Sequence, residues 1–357
     1  MEINDIKKAL EGVVHPAFDK SIMELGLVED INIKELPSGG YKVRFRLVFK
    51  APDSSGSEIK EACTNAITKA YPGTEVSIME MIGNNKPKQP SPAEKGWEQL
   101  ADVKNVIAIE SAKGGVGKSA VTVNLAITLA RMGYKVGVAD ADLYGPSIPK
   151  MTGTEGAMPT AYTSETNGKP KDIIVPVEKF GVKWISLGYF APADQAVIWR
   201  GPMASNALKQ IVLDVKWDEL DFLLLDMPPG TGDILISTVQ DFPLKGAIIV
   251  TTPQPVAMAD VEKGINMFLN KKINIPVLGI IENMSWFTPA ELPENKYYIF
   301  GKDGGRELSE KYGIPLLGQI PLVQGIRESG DDGIPAAKND GPVYDAFVKA
   351  AKQIIGQ

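Results

Sequence analysis

The chain has 357 residues, of which 44% are hydrophobic and 23% charged, with a formal net charge of −6. That is the make-up of an ordinary globular protein of about two domains. It argues against broad nucleic-acid binding, which needs many cations on the phosphates. The longest apolar runs, such as Phe222–Leu225 and Gly246–Val250, are strand-length and far short of a bilayer span, so no membrane partner is expected.

Residues 1–83 read as a small α+β domain. Ile3, Ile6, Leu10 and Val13/Val14 recur at helical spacing, and Val28–Ile33 and Tyr41–Phe49 read as strands. The second alternates strictly, which predicts one buried and one solvated face. A helix is predicted over 57–71, ended by Pro72-Gly73, and a third strand over 75–82. His15, the only histidine, stands beside Pro16 and reads as a cap or turn residue. Cys63, the only cysteine, excludes an internal disulfide, fits a reducing cytoplasm, and reads as a small buried residue. The N-terminal MEINDIKKAL lacks the basic-then-apolar pattern of a secretion signal.

Asn84–Gly96 (NNKPKQPSPAEKG) has three prolines and almost nothing apolar, so 84–100 is assigned as a linker. From residue 101 to 357 strands alternate with helical stretches, the pattern of a parallel sheet covered on both faces. The predicted strands are 105–110, 135–139, 183–187, 221–225, 246–251, 277–281 and 316–319. The polar, turn-rich insertion at 150–180 reads as a mobile surface loop.

Chemistry concentrates where strands end. Val106–Glu110 runs into Ser111-Ala112-Lys113-Gly114-Gly115-Val116-Gly117-Lys118-Ser119, and Ala120–Ala130 continues as a helix. Strand, glycine-rich loop and helix in that order form a phosphate-binding loop. Gly114, Gly115 and Gly117 let successive N–H groups face one anion, and the helix adds the positive end of its dipole. Lys118 supplies a mobile charge for the outer phosphates and Ser119 a hydroxyl for Mg2+. The nucleotide-contacting set read from the loop itself therefore runs from Gly114 through Val116 to Ala120. Asp226, closing an apolar strand, has the Walker B position on the Mg2+ side, and Gly230 and Gly232 after it allow close approach to a γ-phosphate. Asp140 and Asp142 follow the second strand. Asn283 follows the sixth; its amide suits an adenine edge, and it reads equally as a turn residue.

Lys113 ahead of the glycines resembles the deviant Walker A loop of the ParA/MinD group, and PPGTGD (228–233), WRGP (199–202) and ENMS (282–285) resemble segments of the Mrp/ApbC ATPases. The first 83 residues resemble the PaaD-like domain that precedes such ATPases. The resemblance implies a ParA/MinD-like P-loop NTPase fold of the α/β class with a mostly parallel sheet. It implies ATP hydrolysis, ATP-linked homodimerisation with Lys113 reaching the partner's nucleotide, and Asp142 positioning the attacking water. It further implies a supporting Mg2+-side role for Asp140, adenine binding by Asn283, and work in iron–sulfur cluster assembly with apoproteins or assembly factors.

One departure matters. Cluster-carrying members of that family have Cys-x-x-Cys shortly after ENMS, where this chain has Pro289 and Leu292. A four-thiolate 4Fe-4S cluster needs four cysteines, and two copies of this chain supply two. Two readings stand: an iron–sulfur assembly ATPase acting with a cluster-holding partner or a labile cluster, or a MinD/ParA-like dimerisation switch that loads a client without carrying one.

Overall fold

A computed structural model describes residues 3–16, 18, 20–36, 40–49, 55–82, 97–142, 145–166, 169–190, 201–270, 272–289 and 291–356. The chain divides into two compact units, Met1–Ser91 and Pro92–Gln357. Residues 84–96, predicted as a tether, lie outside the described residues.

In the first unit, helix α1 (Ile3–Leu10) leads to two short paired strands, β1 (Val14–His15) and β2 (Lys20–Ser21). Strand β3 (Val28–Glu35), strand β4 (Tyr41–Phe49), helix α2 (Gly56–Ala70) and strand β5 (Glu75–Ile82) follow. The sheet order is β3-β4-β5; β3 pairs antiparallel with β4, and β5 lies parallel to it, so α2 is the crossover a parallel pair requires. Alternation along β4 buries Val43, Phe45, Leu47 and Phe49 against Ile6, Leu10, Ile59 and Ile67. Cys63 sits in this core, and burial pushes its thiol up to about 12. His15 opens a turn, as one of the two sequence readings allowed, its carbonyl accepting the Phe18 N–H at 3.2 Å; it is also buried in β1, its ring 4.6 Å from that of Phe18 and 6.3 Å from that of Phe49. Its ring contacts were invisible to a reading based on the neighbouring proline alone.

The second unit runs β6 (Val106–Glu110), α3 (Lys118–Arg131), β7 (Val136–Asp140), α4 (Ile148–Thr152), β8 (Thr160–Thr166), β9 (Lys169–Val175), β10 (Val177–Lys179) and β11 (Val182–Ser186). It continues through α5 (Gly201–Leu213), β12 (Phe222–Asp226), α6 (Asp233–Asp241), β13 (Gly246–Thr251), α7 (Pro255–Leu269) and β14 (Val277–Glu282). Helix α8 (Gly304–Tyr312), β15 (Leu316–Gln319), α9 (Gln324–Asp331) and α10 (Pro342–Ile355) complete it. Eight strands form one sheet in the order β10-β11-β7-β12-β6-β13-β14-β15, parallel throughout except for the β10 edge. Strands β6, β7, β12 and β13 are buried at every residue, as strands covered on both faces must be. Ile107 and Ile109 face the side covered by α3 and α10, where Leu125, Leu129, Phe347 and Ala351 pack. Val106 and Ala108 face the side of α5 and α7, with Leu208, Val261 and Ile265. The apolar stripe of the last helix thus faces the core.

The 150–180 segment is a correction. It holds an antiparallel hairpin, β8 paired with β9 from Thr160↔Val175 to Thr166↔Lys169, anchored by Ile174 to the main chain of Asp214 and Lys216. Threonine and tyrosine on one arm and Ile173-Ile174-Val175 on the other favour strands, and the polarity reflects solvent exposure of the first arm. Among the described residues no helix is long and apolar enough to cross a membrane.

Candidate nucleotide site

The strand order builds the site. The chain passes from β6 through α3 to β7, leaving a gap that β12 fills, so three strands end side by side. Asp226 of β12 is in register with Asp140 of β7 on one side and Ile109 of β6 on the other. The phosphate-binding loop and both carboxylates therefore meet at the carboxyl edge of the sheet, where open α/β sheets take ligands.

The loop between β6 and α3 holds Gly115 at φ +83 and Gly117 at φ +82, a left-handed backbone that only glycine adopts without strain. Space over Gly114 and Gly115 is open, while a Cβ on Gly117 would strike the Asn283 amide. Ala112, where the general pattern has glycine, packs beside Gly264 of α7, where even a Cβ would meet the Ala112 methyl at an ordinary contact distance of 3.4 Å.

Lys118 is 6% exposed and points along the sheet edge, its Nζ 2.8 Å from Asp226 Oδ2 and 3.9 Å from Asp142 Oδ2. Burial works to lower the ammonium's pKa, but Asp226, Asp142 and Asp140 outweigh it and hold it above the ordinary lysine value. Asp226 is fully buried, with Ser119 Oγ donating to its Oδ2 at 2.6 Å and Thr122 Oγ1 to its Oδ1 at 2.7 Å. Asp140 is also fully buried. It accepts the Asp142 N–H at 3.2 Å, the Ile148 N–H at 3.4 Å and the Ser186 hydroxyl at 2.9 Å, and so shapes the loop that carries Asp142. Burial, then the nearby Asp226 charge, pushes its carboxyl up to about 7, against Lys118 and its hydrogen-bond donors.

The segment after β12 is zipped to the loop by main-chain bonds from Met227 N–H to Ile109 O and from Gly230 N–H to Ser111 O, both 3.0 Å. Asn283 donates its Nδ2 to Val116 O at 2.9 Å and its backbone N–H to Thr251 O at 2.7 Å. The amide nitrogen thus braces the loop, and Asn283 lines a cavity of about 430 Å³ together with Gly117, Ala120, Pro321, Leu322 and Val323. Lys113 is half-buried. Trp199, Arg200, Leu143 and Tyr144 lie outside the described residues.

The structure brings Lys118, Ser119, Asp140, Asp142, Asp226 and Asn283 around one loop. Sequence reading missed three neighbours. Thr122 follows Lys118 by one helical turn and so shares its face, a signal that spacing carries. Ser186 is in register with Asp140 across β11 and β7, which only strand pairing reveals. Glu110 was passed over as a strand end.

A hydroxyl, buried carboxylates and open loop amides suit a nucleotide phosphate with a hard divalent cation, since Mg2+ prefers oxygen ligands and keeps several waters. The fold and this loop define the class: a P-loop nucleotide-binding protein. A family model described as NUBPL iron-transfer P-loop NTPase matches residues 102–355, and one of iron–sulfur cluster assembly proteins matches residues 3–78. The chain is 41% identical to the iron-sulfur cluster carrier protein of Synechocystis, across 98% of this chain and 95% of that one. To the carrier protein of Haemophilus influenzae it is 38% identical, across 98% and 90%. A nucleotide-binding protein of Archaeoglobus fulgidus, solved in complex with ADP, superposes with a TM-score of 0.59 at 34% identity, covering 72% of this chain and 97% of the other. The cell division ATPase MinD of Pyrococcus furiosus shares the fold at a TM-score of 0.50 and 24% identity, covering 71% of this chain and 99% of its own. The chain belongs to the NUBPL iron-transfer family of P-loop NTPases, the Mrp/ApbC group.

Proposed function

We propose that the chain is a cytoplasmic ATPase that binds and hydrolyses ATP with Mg2+ as a homodimer, in the service of iron–sulfur cluster assembly or transfer to apoproteins. The observation that carries the reading is the buried Lys118–Asp226–Ser119 cluster on the phosphate-binding loop. The loop amides of Gly114, Gly115, Val116 and Gly117 take the inner phosphates. Lys118 leaves Asp226 and Asp142 for the outer phosphates as they arrive. Ser119, Asp226 and Asp140 would hold Mg2+ or its waters, and the ion when bound neutralises charge on the phosphate oxygens. Asp142 orients the attacking water. Asn283 Oδ1 accepts from the exocyclic amine of adenine and repels the oxygen that guanine carries there. Lys113 of a second copy adds charge at the γ-phosphate.

The cluster is cargo in this scheme. With Cys63 buried, its thiol raised to about 12, and Pro289 and Leu292 at the family's ligand places, the thiolates come from a partner protein. Those two residues also favour the second reading, an ATP-dependent switch that loads a client without touching a cluster. Cluster transfer to an apoprotein in the presence and absence of this chain separates the two.

The ATPase assignment is tested at two residues. Lys118→Ala should abolish most nucleotide affinity. Asp142→Ala should leave ATP binding near parental and stop turnover, because orienting water matters only in the transition state. Parental hydrolysis rates in both variants would show the site to be misassigned.

A further inference from the structure

Thr122 lies in the second turn of α3, fully buried, and nothing in the phosphate-binding motif calls for a hydroxyl there. Its Oγ1 has two acceptors within reach, Asp226 Oδ1 at 2.7 Å and the Lys118 carbonyl one turn back at 3.1 Å. A threonine hydroxyl has one proton, so these acceptors compete, and the shorter contact is to the carboxylate. The other oxygen of Asp226 is taken by Ser119 Oγ at 2.6 Å and Lys118 Nζ at 2.8 Å. Both of those partners have work elsewhere once a nucleotide arrives: Lys118 at the phosphates, Ser119 at the cation. Thr122 alone of the three has no such second task.

We propose that Thr122 is a positioning residue for Asp226, holding Oδ1 so that Oδ2 stays aimed at the cation site when Lys118 and Ser119 turn away. It rests on Asp226 being the Mg2+-side carboxylate. The Lys118 carbonyl gives the hydroxyl a second place to bond, so Asp226 can shift by a fraction of an ångström without stranding a buried donor. Outer partners that orient a metal-side group are worth about 10–100-fold in metal affinity.

The test is a Mg2+ titration of the full chain with a fluorescent ADP analogue, followed by anisotropy. In Thr122→Val the Mg2+ concentration that gives half of the metal-dependent gain in binding should rise about 10-fold or more. Affinity measured in EDTA should stay near parental, which a general loss of structure would not allow. Thr122→Ser, which keeps the hydroxyl, should restore the parental midpoint. If the valine variant does not fold, Thr122→Ala removes the hydroxyl without adding volume and carries the same expected shift. A parental midpoint in the valine or alanine variant, or a serine variant as impaired as valine, overturns the proposal. Asp226→Asn is run beside them: if it too leaves the midpoint unmoved, the Mg2+ role of Asp226 fails first and takes this inference with it.

Discussion

Glu110 ends the strand that feeds the phosphate-binding loop, and neither of its carboxylate oxygens meets a hydrogen-bond donor in good geometry. Its position is fully buried, next to Ile249 in register on β13. Burial raises its pKa well above the ordinary value of 4.5, and the Lys118 charge offsets this only in part. Between those two values the folded chain holds a proton that the unfolded chain has released, so stability falls as pH rises through that window. Glu110→Gln removes the ionisation. Its melting temperature should match the parent at about pH 4 and exceed it increasingly as the pH rises above that. Melting curves with the same pH dependence in both proteins would show that Glu110 is satisfied in some other way. Glutamate as the last residue of VIAIE carries no sign of burial in the sequence, and it is the pairing with β13 and the buried position that show it.

At the scale of elements, the glycine loop, the β12 end and the β7 end were legible because each announces itself: apolar run, then glycines or acids. The seven predicted strands lie within a residue of the observed ones for the same reason. The hairpin β8–β9 was not legible, since neither arm is long or apolar and its exposed arm resembles a loop in composition. Lys113 illustrates what an isolated element leaves undone. It is half-buried and belongs to the same loop as Lys118, which is already engaged by Asp226. If a second copy supplies it at the γ-phosphate, Lys113→Ala should lower turnover by ~10³–10⁵-fold while one chain still binds ATP. Sedimentation of the Asp142→Ala variant with and without ATP reads the partnership directly. An unchanged mass with ATP would remove the second copy from the mechanism.

For the whole molecule, the two units divide the work of folding and chemistry unequally. Every candidate nucleotide residue lies in the second unit, while the only thiol lies in the core of the first. Thiolates are the ligands that cluster iron favours, and Glu291 and Glu294, which flank the family's ligand places, offer only hard oxygens. Anaerobic reconstitution should therefore leave iron below one cluster per dimer, lost on brief exposure to a chelator, and Cys63→Ser should change this little. A brown dimer keeping about four irons through desalting and chelation would overturn the prediction and return the cluster to this chain. The missing ligands were plain in the sequence. The inertness of the remaining cysteine needed the three-dimensional core.

That core position has a practical consequence. A thiol that reacts only as thiolate, buried among Ile59, Ile67 and Phe45, is shielded from oxidants and alkylating reagents for as long as its surroundings stay closed. Because it is the sole cysteine, the rate at which a thiol reagent modifies the chain counts the opening events of the first unit and nothing else. The molecule thus carries its own clock for the breathing of one unit, which can be read while the other binds or releases nucleotide.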